Sequence, residues 1–345
     1  MCTDFLITGN DTRVASGPIA VNGRSMEFGA DLKSQLMVHA SGESFQSMGP
    51  SGKPGLKWTA AYGFVGLTAM TDKVIVDGLN TQGLSVGALW LPGSAYPKVS
   101  QPAQALALVD FVSWALGTCG SVADVQTALT SGNVQVWEGD LLATLLPLHF
   151  PIHDAKGNSI VVEFTNGQLN VYENPVGVCT NDPPFPQQLQ NLGGYANLTP
   201  WDAKPTELGS GSFSPAGHGS GMRGLPGDST PPARFVRAAY LKQYSQPLIT
   251  AAADATTLAF HILNTVDIPA GTSRSVNKVG KDELDYTQWA VVKDLVALTL
   301  SVRFYANPLV YSVNLKTLDF SGAAGKPFPV PASPISIDLT SKLSS

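Results

Sequence analysis

Charge is scarce in this chain. Its 345 residues include 21 Lys+Arg and 26 Asp+Glu, 14% in all, for a formal net charge of −5. A weakly negative chain lacks the basic surface that nucleic acid or an anionic membrane would attract. No apolar run approaches the ~20 residues of a membrane-spanning helix. No basic-then-apolar leader precedes position 2, so the expected location is cytoplasmic, or periplasmic or secreted where a leader is removed ahead of this chain. Three cysteines, Cys2, Cys119 and Cys179, are too few for a disulfide framework, and the odd count leaves at least one thiol free. The histidines, His39, His149, His153, His218 and His261, are scattered without zinc-ligand spacing, so no metal is expected.

What is abundant is glycine (34), proline (25) and hydrophobic residues (43%), a composition suited to a compact, strand-rich protein. Length alone would allow two domains of ~150 residues, but layered β-rich folds run longer as one unit. Residues 1–345 are therefore read as a single domain.

Cys2–Thr8 reads as a strand ending in the turn cluster Gly9-Asn10-Asp11, and Ile19-Ala20-Val21 as a second strand running into Asn22–Phe28. Paired as a hairpin, these strands would return Arg24 and Glu27 to Cys2. Further strands are expected at Gln35–His39, Ala60–Thr68 and Gly83–Leu89, the last after a turn at Asp77-Gly78-Leu79-Asn80. Gly and Ala within Gly83–Trp90 point to a close approach of another backbone or a ligand. Gln104–Leu116 is apolar almost all round and predicts a buried helix. Ser121-Val122-Ala123-Asp124 predicts a capped helix to about Leu129. Leu145–His153, Ser159–Phe164 and Leu169–Glu173 form a meander, its second turn the hairpin pair Asn166-Gly167. Val176–Asn181 is one more strand. Tyr195–Gly227 is long and irregular, helices follow at Pro232–Tyr244 and Ala251–Val266, and strands at Thr287–Lys293, Leu298–Tyr305 and Leu309–Leu315 close the chain. Hairpin-connected strands alternating with helices argue for antiparallel sheets layered with helices.

Two motif readings fail on context. Gly219-Ser220-Gly221-Met222-Arg223-Gly224 has dinucleotide-binding spacing, but no strand precedes it and Leu225-Pro226-Gly227 follows in place of a helix. No Gly-x-Ser-x-Gly elbow supports a serine triad. Cys119 and Cys179 sit in apolar surroundings, where thiols are inert packing residues.

Cys2 is different. Removal of Met1 would give this residue both a thiol and a free α-amine, which titrate near ~8.5 and ~7.7–8.0. Nucleophile and activating base would then belong to one residue.

Cys2, Gly23-Arg24-Ser25-Met26-Glu27, Asp77-Gly78-Leu79-Asn80-x-x-Gly83-Leu84, Cys179-Thr180-Asn181 with Pro184, Leu225-Pro226-Gly227-Asp228-x-x-Pro231-x-x-Arg234-Phe235 and Phe260–Asn264 follow one another along the chain. In this order they resemble the choloylglycine hydrolase and penicillin V acylase family of N-terminal-nucleophile hydrolases. The resemblance covers the chain to at least Arg274. It implies an α+β fold, a four-layer αββα sandwich with two antiparallel sheets between helical layers, and hydrolysis of a linear amide without a cofactor. It implies Cys2 as nucleophile, Arg24 beside the thiol, Asn181 and the Trp90 backbone N–H as oxyanion donors, and Arg234 as a second arginine. Glu27 stands where the family has aspartate holding the nucleophile's α-amine. Trp90 stands where bile-salt hydrolases have asparagine, which favours flat or extended acyl groups; Phe28 and Met26 would share that pocket. The segment Tyr195–Gly217 resembles the family's assembly segment and implies a homotetramer. Three readings stay open: an amidase of penicillin V or N-acyl homoserine lactones, a bile-salt hydrolase, and a non-catalytic binding protein on the same fold.

Overall fold

The computed structural model describes residues 1–12, 17–139, 147–276, 280, 282–329, 331, 336, 337 and 339. Two large antiparallel sheets lie face to face. The first runs Val178–Cys179, Cys2–Asp11, Gly17–Phe28, Asp282–Asp294, Thr299–Phe304, Asn307–Asn314 in spatial order, with Ser273–Val276 added beside Asp282–Asp294. The second runs Gln168–Glu173, Ser159–Thr165, Leu148–His153, Ser85–Gly87, Thr71–Asn80, Phe64–Ala69, Leu36–His39, with Leu89–Trp90 paired to Leu148–His153. Helices Pro231–Ser245 and Ala252–Val266 cover the outer face of the first sheet, and helix Phe111–Thr118 covers that of the second. The result is the four-layer αββα sandwich. The central strands are covered on both faces, so Phe64–Ala69 and Leu148–His153 are buried throughout and Ser159–Thr165 nearly so. Phe111 stacks on Phe150 with ring centroids 4.0 Å apart, tying its helix to the second sheet. A fully buried ring of this kind contributes roughly 1.5–3 kcal/mol.

Several local readings hold. Asn166 and Gly167 both take positive φ (54° and 74°), as a two-residue hairpin turn requires. Ser121 Oγ accepts from Asp124 N at 3.2 Å, opening helix Val122–Thr130. Gly219–Gly224 is a loop around a short 3₁₀ turn at Ser220–Met222.

Others need correcting. Gln104–Leu116 is not one helix. A 3₁₀ turn at Pro102–Gln104 leads to the strand Ala105–Ala107, which pairs in parallel with Gln135–Trp137. A second 3₁₀ turn, Leu108–Asp110, then opens the helix Phe111–Thr118. The reason is tertiary: Ser47 Oγ accepts the Ala107 amide at 2.8 Å and donates to Asp110 at 2.6 Å, holding Ala107 extended. Asp77–Asn80 is the end of strand Thr71–Asn80 and not a turn. The turn follows it because Asn80 Oδ1 accepts from Gln82 N and Leu84 N. Gly83 there has φ +81°, and a Cβ on it would lie 2.3 Å from the Leu295 carbonyl oxygen, the close approach its strand suggested. The first strand continues through Gly9-Asn10-Asp11, and only Val178–Cys179 of Val176–Asn181 is paired. The strands Thr71–Asn80, Ser44–Met48, Pro54–Thr59 and Ser273–Val276 and the helix Phe185–Asn191 were not expected. Residues 145 and 146 of the Leu145–His153 strand fall outside the described residues.

Candidate active site

The first two strands form the hairpin, with Cys2 opposite Met26 and Asp4 opposite Arg24. Side chains alternate between faces, so Cys2, Asp4, Arg24 and Met26 point into the space between the sheets. Thr3, Ser25 and Glu27 point to the helical layer. The hairpin thus brings Arg24 to the sulfur and places the Glu27 carboxylate on the opposite face.

Arg24 is fully buried, with Nη2 3.7 Å from Cys2 Sγ. Its guanidinium also donates to the Val76 and Ala88 carbonyls, and Nη1 lies 3.0 Å from Asp77 Oδ2. Burial opposes its charge, but Cys2 and Asp77 outweigh burial and hold it above the ordinary arginine value. Gly87 leaves room for this side chain, since a Cβ there would sit 3.2 Å from Arg24 Nη1. The other Asp77 oxygen is 2.5 Å from Lys293 Nζ, and both residues are fully buried. Beyond them, Asp4 pairs with His153 Nε2 at 2.6 Å and accepts from Asn22 Nδ2 at 3.1 Å. Burial works against the Asp4 carboxylate, but His153 outweighs it and holds that group below its usual value.

Asn181 follows the strand Val178–Cys179, beside the first residues of the chain. Its Oδ1 accepts from Cys2 N at 2.7 Å and from Arg234 Nη2 at 2.8 Å, and its Nδ2 donates to the Trp90 carbonyl at 2.7 Å. Two donors on one side and an acceptor on the other fix the amide's orientation. An amide nitrogen has two N–H groups, so one remains available. For the Trp90 backbone, the recorded contact to Asn181 is made by its carbonyl.

Arg234 is in the first turn of Pro231–Ser245, a helix started by two prolines where the missing N–H groups cost nothing. Its guanidinium reaches the Cys2 carbonyl, Thr3 Oγ1 at 2.6 Å and, at 4.0 Å, Glu27 Oε2. Burial pulls Arg234 below the usual arginine value, with Glu27 and Cys2 opposing. Glu27 Oε1 accepts from Thr287 Oγ1 at 2.9 Å, while Oε2 is buried without a hydrogen-bond partner. Burial pushes the Glu27 carboxyl up, against the pull of Arg234 and the chain's N-terminal ammonium. Met1 occupies the position next to Glu27: its ammonium donates to the Glu27 carbonyl and its own carbonyl accepts the Glu27 amide at 2.8 Å.

Cys2 opens on a cleft of about 820 Å³, whose wall is almost wholly apolar and includes Met26, Phe28, Val76, Ala88 and Trp90. The Phe28 and Trp90 rings lie 6.0 Å apart, tilted by 59°. A wider space of about 1190 Å³ shares Met1, Phe28 and Trp90 and adds the carboxylates Asp182 and Asp285. All the residues picked from the sequence therefore meet around Cys2, on two faces of one sheet. Asp77, Lys293, Asp4, His153 and Thr287 were missed. A trace was visible, in single charges inside apolar strands such as Val74-Ile75-Val76-Asp77 and Trp289–Lys293. The other two thiols are buried, and burial pushes Cys119 up to about 11 and Cys179 well above its usual value. Among the described residues no group of three or more His, Cys, Asp or Glu could hold a metal ion, and no helix is long and apolar enough to cross a membrane.

A sheet sandwich with a cysteine thiol, two buried arginines and an oriented asparagine amide at one end of an apolar cleft has the parts of a thiol hydrolase. The family described as linear amide C-N hydrolases, choloylglycine hydrolase family, matches residues 2–326. The chain belongs to the choloylglycine hydrolase family. Among curated relatives, the bile salt hydrolase/transferase of Clostridium perfringens is 29% identical over 93% of this chain and 94% of that protein. The penicillin V acylase of Pectobacterium atrosepticum is 26% identical over 88% of this chain and 79% of that one. The crystal structure of the C2A mutant of conjugated bile acid hydrolase from C. perfringens superposes with a TM-score of 0.82, at 27% identity, over 98% of this chain and 99% of that one. The chain is a linear amide C–N hydrolase.

Proposed function

We propose that this enzyme cleaves N-acyl amides with flat or extended apolar acyl groups, in the manner of a penicillin V acylase, using Cys2 as nucleophile after loss of Met1. The observation that carries this reading is the thiol's position on the apolar cleft between Phe28, Trp90 and Met26. The acyl group lies against the two rings, where an aromatic pair adds about 0.5–1.5 kcal/mol beyond burial. Once Met1 is gone, the α-amine of Cys2 takes the thiol proton as sulfur attacks the carbonyl. Arg24 favours the thiolate. The free N–H of Asn181 and the Trp90 N–H hold the oxyanion. The ammonium protonates the leaving nitrogen as the C–N bond breaks, and water, deprotonated by the same amine, releases the acid from the thioester. Glu27, with one buried oxygen that has no hydrogen-bond partner, holds the α-ammonium together with Asn181 Oδ1, which accepts from Cys2 N at 2.7 Å.

Bile-salt hydrolysis is the second reading, favoured by the names of several relatives. Asp182 and Asp285, in the outer space, disfavour any leaving amine that carries a carboxylate, the glycine of glycocholate and the penam amine of penicillin V alike, so the choice between these two rests on the acyl pocket. A homotetramer accords with Trp201 (78% exposed), Leu208 and Phe213, which present apolar surface from the segment containing the hairpin Thr206–Leu208 and Gly211–Phe213.

Side-by-side kcat/KM for penicillin V, an N-acyl homoserine lactone and glycocholate tests the reading, with Trp90→Asn alongside the parent. We expect the first two to lead in the parent and the lead to shrink in Trp90→Asn. A parent that favours glycocholate hands the site to the bile-salt reading, and one inert on all three, with an unreactive Cys2, to a binding protein.

A further inference from the structure

We infer that Lys293 and Asp77 are positioning residues: together they hold the Arg24 guanidinium at the Cys2 thiol and set how much of its charge the sulfur receives. The inference rests on the proposed role of Cys2 as nucleophile.

Arg24 faces two partners, the Cys2 sulfur and the Asp77 carboxylate. Its Nη2 is 3.7 Å from Cys2 Sγ, and its Nη1 is 3.0 Å from Asp77 Oδ2. Were Asp77 to face Arg24 alone, one carboxylate would cancel one guanidinium, leaving little field for a thiolate. Lys293 changes that balance. Its ammonium lies 2.5 Å from the other Asp77 oxygen, on a strand two removed from Cys2 in the first sheet. Asp77 comes from the facing sheet, so the pair bridges the two layers at full burial, where charges are screened least. A lysine in this position draws the carboxylate away from Arg24 and anchors it, so the guanidinium is fixed and only partly neutralised.

The other charged or titratable groups around the sulfur have their own partners or lie on the other face. Arg234, from the helix, engages the Cys2 carbonyl, Thr3 and Asn181. Glu27 bonds Thr287 on the helical side, and the Met1 ammonium bonds the Glu27 carbonyl. Asp4 is paired with His153, and the thiol of Cys179 lies 3.9 Å from His149. Arg234 and the Cys2 α-amine also act on the sulfur from the helical side, and Lys293 faces Asp4 besides Asp77. Arg234, the α-amine and Asp4 are common to every variant tested below, so between the sheets the balance turns on Arg24, Asp77 and Lys293.

The test is the pH dependence of Cys2 alkylation by iodoacetamide, read by peptide mass on the Met1-free enzyme, with hydrolysis measured on the same samples. Lys293→Met should move the alkylation profile up by about one pH unit, the shift one neighbouring charge produces. Lys293→Arg should leave it near the parent's. Asp77→Asn should move it down, because both cations then face the sulfur. The double variant Asp77→Asn/Lys293→Met removes a cation and an anion together and should return towards the parent. Loss of packing would shift both single variants the same way, and that result overturns the inference, as does a Lys293→Met profile within about 0.3 unit of the parent. If Lys293→Met does not fold, Asp77→Asn and the double variant decide: no downward shift in the first, or no return in the second, also overturns it. The nucleophile reading fails separately, if alkylating Cys2 in the parent leaves hydrolysis intact.

Discussion

Asn181→Ala removes a side chain that touches Cys2, Arg234 and Trp90 at once, and its cost can be worked from those contacts. Three hydrogen bonds go: Cys2 N to Oδ1 (2.7 Å), Arg234 Nη2 to Oδ1 (2.8 Å) and Nδ2 to the Trp90 carbonyl (2.7 Å). Leaving a buried group unsatisfied costs about 1–3 kcal/mol, more for a charged one. Arg234 keeps its bonds to Cys2, Thr3 and Ser229, and the adjoining Asp182 and Trp90 line a cleft from which water can replace part of what is lost. The expected destabilisation is therefore about 2–4 kcal/mol, at the low end of three orphaned partners. The catalytic cost is separate. An oxyanion donor acts on charge that exists only in the transition state, and deleting one lowers kcat by about 10²–10³, or 2.7–4 kcal/mol. Because the ground-state amide gains little from that donor, KM should stay within a factor of a few. Thermal unfolding followed by steady-state kinetics on penicillin V, or whichever probe the parent turns over best, gives both numbers. A folded Asn181→Ala enzyme with kcat within tenfold of the parent refutes the oxyanion role. A large rise in KM at unchanged kcat would make Asn181 a substrate anchor.

Three further outcomes follow from the same geometry. At pH 8, iodoacetamide should label Cys2 and spare Cys119, whose burial pushes its thiol to about 11; Cys2→Ala should abolish turnover, and folded Cys119→Ala and Cys179→Ala enzymes should keep it. Glu27→Asp should keep measurable activity while Glu27→Gln loses much more, since charge beside the α-amine outweighs one methylene of reach; equal kcat/KM in Glu27→Gln and the parent would remove Glu27 from the site. Asp4, held by His153 below its ordinary value of 3.8, stabilises the fold above that pH, and its contribution is lost as pH falls through the lowered value. Asp4→Asn should therefore melt below the parent at pH 6, with the gap closing towards pH 3; a gap that does not depend on pH would mean the loss is one of packing.

The sequence by itself carried the hairpin and its consequence. Two consecutive strands, Cys2–Thr8 and Ile19 onward, paired as a hairpin are enough to bring Arg24 back to Cys2, because antiparallel pairing is local and its side-chain period is fixed. The helix signals at Ser121 and Pro232 and the turn at Asn166-Gly167 are local in the same way. Order along the chain also marked Asn181, Trp90 and Arg234, through their likeness to a family pattern and not through any contact the sequence could display. What tertiary structure alone decided is where distant backbones and charges meet. Ser47, 60 residues away, holds Ala107 extended and breaks a segment whose apolar pattern is helical all round. Asp77 and Lys293 each follow an apolar run, Val74–Val76 and Trp289–Val292, 216 residues apart, and nothing near either one in sequence says that the two are partners. Their pairing depends on how two sheets stack and register, a long-range choice that hydrophobic periodicity leaves free because the central strands are buried on both faces.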